Sequence, residues 1–141
     1  MLNITFISGP PASGKTYTAR IMQSMFPSHR SKILNIANNG IEFYWKHKDQ
    51  YDLFIFEEAT NQSKIQNFIE SIIVSYSNYA NDPEGQVIMD EYGNPVLKAI
   101  TNVIIVSQEK IDGFDFYKNN WNGKNGIKIN EIILTKSYQP C

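Results

Sequence analysis

An α/β fold with a mostly parallel, five-stranded sheet is what the sequence predicts, and three observations predict it. Short runs rich in β-branched and aromatic residues alternate with stretches of helical periodicity. Each apolar run ends abruptly in polar or glycine-bearing sequence, as strands do on leaving a buried sheet. The chain has 141 residues, enough for one real hydrophobic core, so residues 1–141 are read as a single domain.

The first strand is Leu2-Asn3-Ile4-Thr5-Phe6-Ile7, stopped at once by glycine and proline. Lys15 to Phe26 then places Tyr17, Ile21, Met22 and Met25 near helical spacing, with Pro27 as the stop. Lys32 to Ala37 is the second strand. Asn38-Asn39-Gly40 turns into one or two helical turns over Ile41 to Lys48. Tyr51 to Phe56 (YDLFIF) is the third strand and ends on Glu57-Glu58. After Asn61, a residue suited to capping, Gln62 to Tyr79 carries Ile65, Phe68, Ile69, Ile72, Ile73 and Tyr76 as an amphipathic stripe. Residues 86–89 and 95–99 flank Asp90-Glu91-Tyr92-Gly93-Asn94, the composition of a β-hairpin. Thr101 to Val106 (TNVIIV) is the fourth strand and ends on Ser107-Gln108. Lys118 to Gly126 reads as a polar loop, and Ile127 to Leu134 as the fifth strand.

Bulk composition excludes more than it selects. Thirteen basic and fourteen acidic residues give a net charge of -1, so no global field draws the protein to nucleic acid or anionic lipid. The single cysteine, Cys141, excludes an intramolecular disulfide, and His29 and His47 are too isolated to build a zinc cluster. No run approaches the length of a membrane span, and the first residues lack the pattern of a signal peptide. A cytoplasmic protein without membrane insertion is the expectation.

The chemistry concentrates in three polar clusters, each following an apolar strand. In a parallel sheet the carboxyl ends of the strands lie together, so the clusters are expected to converge. The first is Gly9-Pro10-Pro11-Ala12-Ser13-Gly14-Lys15-Thr16, which has the spacing G-x-x-x-x-G-K-T between a strand and a helix, the setting that a P-loop requires. Its glycines let main-chain N–H groups turn toward phosphate oxygens at the helix N-terminus. Pro10 and Pro11 bring no N–H, so the donors must come from residues 12 to 17, through Tyr17. Lys15 would reach the β and γ phosphates of ATP, and the Thr16 hydroxyl would bind Mg2+.

The second cluster, Glu57-Glu58, supplies the acids that hydrolysis needs: Glu57 for the metal and Glu58 as general base for an attacking water. The third supplies a polar group able to sense the γ phosphate, with Gln108 the candidate and Ser107 and Glu109 as alternative registers.

Taken together, GPPASGKT, YDLFIFEE and TNVIIVSQ resemble the P-loop ATPases that carry an additional strand and a catalytic glutamate, a group that includes AAA+ proteins and superfamily-3 helicases. VIIVSQ is also similar to the sensor strand of the HerA, FtsK and Zot-type phage ATPases. The resemblance covers Met1 to about Gln108. It implies a three-layer P-loop fold with strand order 5-1-4-3-2, a β-hairpin insertion, ATP with Mg2+, and often a homo-oligomeric ring in which a neighbour supplies an arginine finger. The sequence departs from that pattern at Glu57, where aspartate is usual. It departs again in its arginines: there are two, Arg20 on the P-loop helix and Arg30, which leaves Arg30 as the finger candidate unless a lysine or a partner protein substitutes.

Three functions follow as expectations. One is an ATP hydrolase acting on nucleic acid or on a phage or mobile-element protein assembly. In that setting the hairpin's Asp90 and Glu91 would repel phosphates, leaving Tyr92 and Lys98, and Trp121 with Lys118 and Lys124, as nucleic-acid contacts. The others are a non-hydrolytic nucleotide-binding module and a small-molecule or nucleotide kinase, which ordinarily needs several arginines and a lid.

Overall fold

The computed structural model describes residues 2–36, 39–48, 50–57, 60–80, 101–124 and 126–135, with the backbone alone over 77–80. Five strands, β1 (Leu2–Ser8), β2 (Ser31–Asn35), β3 (Leu53–Glu57), β4 (Thr101–Ser107) and β5 (Ile127–Ile133), form one sheet in the order β2-β3-β4-β1-β5. Every pairing is parallel. This is the strand order that the resemblance implied, read from the other edge. The hairpin expected over residues 86–99 lies outside the described residues.

Burial on both faces explains why these runs become strands. The β1 and β4 sequences are buried almost throughout, and Phe54 and Ile55 in β3 are fully buried although they point to opposite faces. On one face Phe6, Phe54, Phe56, Val103 and Ile105 pack under α2 (Gly40–His47), α3 (Gln62–Ala80) and α4 (Phe114–Trp121), with Tyr44, Phe68 and Phe114 as the facing side chains. Tyr44 stands edge-on to Phe54 and to Phe68 at centroid distances of 4.8 and 5.1 Å. The opposite face is covered more thinly, by α1 (Lys15–Gln23), through Ala19 and Met22 against Ile7, Ile55, Ile104 and Val106.

Two local expectations are corrected. The apolar residues near helical spacing divide: Tyr17 and Ile21 on α1 are 72% and 45% exposed and Met25, past its end, is 77% exposed, whereas Met22 packs with buried Ala19 against the sheet. Residues at i, i+4 and i+8 share one helix face, but the sheet selects the smaller Ala19, which lets the helix lie close to β1 and β4. Lys118 to Gly126 is likewise not all loop, because Lys118 to Trp121 complete α4. Gly113, held at φ 79°, is the residue before that helix, and Phe114, Tyr117 and Trp121 fall at helical spacing on its core side. Trp121 is partly buried and packs against the core.

Tyr117, only 3% exposed, donates its hydroxyl to Glu70 Oε1 of α3 at 3.2 Å. Burial, then the charge of Glu70 and this hydrogen bond, push its pKa up to about 12. The folded value lies above the unfolded value of about 10, so the stabilisation is complete below pH 10 and is lost as pH rises through 12. The unfolding free energy should therefore fall over that window by on the order of 1–3 kcal/mol more in the wild type than in Tyr117→Phe. Parallel pH profiles of the two would show it.

At the amino ends of the strands, Asn3 Nδ2 donates to Asn102 Oδ1 at 3.0 Å and Asn102 Nδ2 to the Asp52 carbonyl at 3.1 Å, which pins the register of β1 on β4 and ties both to the start of β3. Arg30 sits at that same end. Its Nη2 and Nε meet Asp52 Oδ1 and Oδ2 at 2.8 and 3.2 Å, and its Nη1 donates to the Gln50 carbonyl at 2.7 Å. Asp52 raises the Arg30 pKa through this hydrogen bond.

Candidate functional site

The register of the sheet brings the three sequence clusters to one edge of the molecule. Ser8 pairs with Ser107, so the loop that begins at Gly9 and the segment Gln108–Glu109 leave neighbouring strands at the same level. Phe56 pairs with Ile105, which puts Glu57 beside Val106 on the next strand over. Gln108 and Glu109 are exposed. The Ser107 hydroxyl is buried and accepts the Glu109 N–H at 3.3 Å. Glu58 lies outside the described residues.

The loop is shaped by two residues in left-handed backbone, Ala12 at φ 58° and Gly14 at φ 91°. A non-glycine residue there costs about 1 kcal/mol, and local alternations of this kind build the main-chain nests that bind anions. Ser13 N donates back to the Pro10 carbonyl at 3.2 Å and closes the turn. Helix α1 starts at Lys15 without a side-chain cap. Its first returning amide is Thr18 N, accepted by the Gly14 carbonyl at 2.9 Å, so the amides of Lys15, Thr16 and Tyr17 have no intrahelical partner. Unmet donors and the positive end of the helix dipole thus coincide. The Ser13 hydroxyl, in a residue only 1% exposed, also has no hydrogen-bond partner.

Lys15 folds back across the loop, its ammonium donating to the Gly9 carbonyl at 2.7 Å and the Pro10 carbonyl at 2.8 Å. Burial lowers its pKa below the ordinary lysine value. An arriving anion would supply the counter-charge that the carbonyls only partly replace.

Gly9 is required by close approach. A Cβ there would stand 2.5 Å from the Leu134 carbonyl oxygen and 2.7 Å from Ser13 Oγ, where the chain leaving β5 crosses the loop. Leu134 N also donates to the Ser8 carbonyl at 2.8 Å. Gly9→Ala should therefore displace the loop and destabilise the protein by about 1–3 kcal/mol, read as a lower midpoint in urea unfolding.

The donor set suits a polyphosphate: a cation spanning the loop, unpartnered helix amides and an orphaned hydroxyl. It also admits Mg2+, which commonly takes one or two protein oxygens and completes its shell with phosphates and water. Thr16 is exposed at the first turn of α1 and Glu57 lies at the end of β3, the two oxygen donors that the sequence suggests for the metal. Among the described residues no group of three or more His, Cys, Asp or Glu side chains could hold a metal ion.

One partner of Glu57 escaped sequence reasoning. Arg20 Nη2 lies 2.9 Å from Glu57 Oε1. Leu53, Ile55 and Glu57 alternate onto the sheet face that α1 covers, and Arg20 sits five residues past Lys15 on that helix. Its cationic character was legible in the sequence, but the crossing of helix over strand was not.

No protein-family model matches the sequence, and no curated protein matches it. The fold class is a three-layer α/β architecture with an all-parallel sheet. Function has to be read from the site that this architecture assembles. Among the described residues, no helix is long and apolar enough to cross a membrane.

Proposed function

We propose that this chain is a Mg2+-dependent ATP-binding protein and ATP hydrolase of the P-loop kind, coupling turnover to movement of nucleic acid or to a phage-type protein assembly. The observation that carries the reading is the Gly9–Thr16 loop, set between β1 and α1, with Lys15 folded onto the Gly9 and Pro10 carbonyls and the first-turn amides of α1 without an intrahelical partner.

In this reading Lys15 exchanges the Gly9 and Pro10 carbonyls for phosphate oxygens, while the amides of the first turn of α1 hold the phosphate chain. Thr16 and Glu57 would hold Mg2+, which supplies neutralisation of the phosphate charge. Glu58 takes a proton from the attacking water as its oxygen bonds to the γ phosphorus. The bond to the bridging oxygen breaks, giving ADP and phosphate. Gln108, beyond the end of β4, orients that water.

The arginines bear on the alternatives. Arg30 is bound by Asp52 and Gln50 at the far end of the strands from the loop, so serving a neighbour's nucleotide would mean leaving both. A kinase gains no free guanidinium from either arginine, since Arg20 meets Glu57. That same pairing favours one second reading, a nucleotide-binding module that turns over slowly because its metal carboxylate is already occupied.

Calorimetry with Mg-ATP and Mg-GTP, together with phosphate release in the presence of single-stranded DNA, duplex DNA or RNA, tests the proposal. Binding with release accelerated by one polymer is the expected result for a nucleic-acid motor. Binding with release that ignores all polymers points to a protein assembly, and binding without release to the module. Absence of binding defeats the reading.

A further inference from the structure

Arg20 makes two side-chain contacts with opposite consequences. Its Nη2 faces Glu57 Oε1 at 2.9 Å, while its Nη1 donates to Gln23 Oε1 at 3.1 Å. Gln23 in turn donates from Nε2 to Ser31 Oγ at 3.1 Å, bracing α1 against the first residue of β2. The guanidinium is thus held from behind and aimed at the carboxylate. Glu57 Oε1 is removed from solvent and has no well-aligned hydrogen bond, so the guanidinium charge is the compensation it has.

The charge balance around the loop gives this pair its meaning. Among the described residues, Glu57 at the end of β3 and Glu109 just past β4 bring two negative charges to this edge of the sheet, against the single ammonium of Lys15 on the loop. A polyphosphate approaching that set alone would meet net repulsion. With Arg20 counted, cations and carboxylates are equal in number, and the unmet amides of α1 tip the field toward an anion.

We propose that Arg20 is a built-in counter-cation for Glu57: it lets the loop accept a polyphosphate before any metal is present, and a divalent cation must displace it to reach the carboxylate. This rests on the reading of the loop as a polyphosphate site. Arg20 is a positioning residue here, acting through Glu57. Nucleotide is then expected to bind first and metal second, with the Arg20–Glu57 contact breaking as the metal arrives.

The test measures ATP affinity in EDTA and in Mg2+ by calorimetry, and Mn2+ affinity without nucleotide by paramagnetic resonance, for wild type, Arg20→Gln, Arg20→Lys and Glu57→Gln. Arg20→Gln should weaken metal-free ATP binding about five- to tenfold, the range of a partly exposed charge pair, and should bind Mn2+ more tightly. Arg20→Lys should return both values toward wild type, which a merely structural arginine would not require. Glu57→Gln should strengthen metal-free ATP binding and weaken Mn2+ binding. If Arg20→Gln proves unfolded by circular dichroism, the Lys and Glu57→Gln variants decide on the same readouts. An unchanged ratio of metal-free to Mg2+ affinity, or equal weakening of both, overturns the inference. Wild type that binds no ATP under either condition overturns the nucleotide reading itself, a distinct result.

Discussion

Lys15→Ala is expected to weaken nucleotide binding by about a hundredfold or more while leaving the protein folded, because charge-assisted bonds from one ammonium to phosphate are worth about 3 kcal/mol together. The native conformation already shows the side chain in a replaceable role. Its two acceptors are the buried Gly9 carbonyl and the half-buried Pro10 carbonyl of the same loop. Stability should move little, since the lost hydrogen bonds are offset by relief of a desolvated charge. The pH dependence carries the sign of that offset. Burial depresses the Lys15 pKa, so the unfolded chain binds more protons than the folded one just below pH 10.5. Below the folded pKa the full cost of the buried charge is present, and stability rises as pH climbs through the window toward 10.5. Lys15→Ala should lack that rise. Isothermal titration with ATP, beside thermal melts across pH 8 to 11, would reveal both effects. A variant that binds ATP like the wild type would remove the loop from the site.

Glu58→Gln is the second change with a large expected effect. It should preserve ATP affinity within a fewfold and lower phosphate release by about a hundred- to ten-thousandfold, the usual contribution of a positioned general base. The amide keeps the shape of the side chain and loses the capacity to take a proton. Single-turnover phosphate release separates the two quantities. Turnover that survives the substitution would assign the base to another residue, with Glu109 the next acid along the same edge of the sheet. Glu57→Gln should behave differently, changing the metal requirement before the rate.

Much of the fold was legible because its signals are local. Strand runs bounded by glycine, proline or acids, and a helical stripe as regular as Ile65 to Tyr76, need no long-range information. What escaped was set by tertiary choice. The outward turn of Tyr17 and Ile21 depends on which face of α1 the sheet accepts, and α4 was hidden because its polar residues, Lys118, Asn119 and Asn120, sit on the solvent side of a helix only eight residues long. The candidate site divides in the same way. Loop spacing and the acids after β3 can be read one residue at a time, whereas the Arg20–Glu57 contact exists because a helix crosses a strand that lies more than thirty residues away in sequence.

The position of β1 sets a timetable for biosynthesis. β1 is hydrogen-bonded on one side to β4, with Asn3 and Asn102 separated by 99 positions, and on the other to β5, which emerges later still. Its final pairing must await strands that follow it by about a hundred residues or more, and such distant closures slow folding. The crossing of Leu134 over Gly9 comes last. A nascent polypeptide stalled before Ile127 would therefore carry every residue of the loop yet lack the backbone that seats it, so the loop should reach its native shape only once β5 has been synthesised.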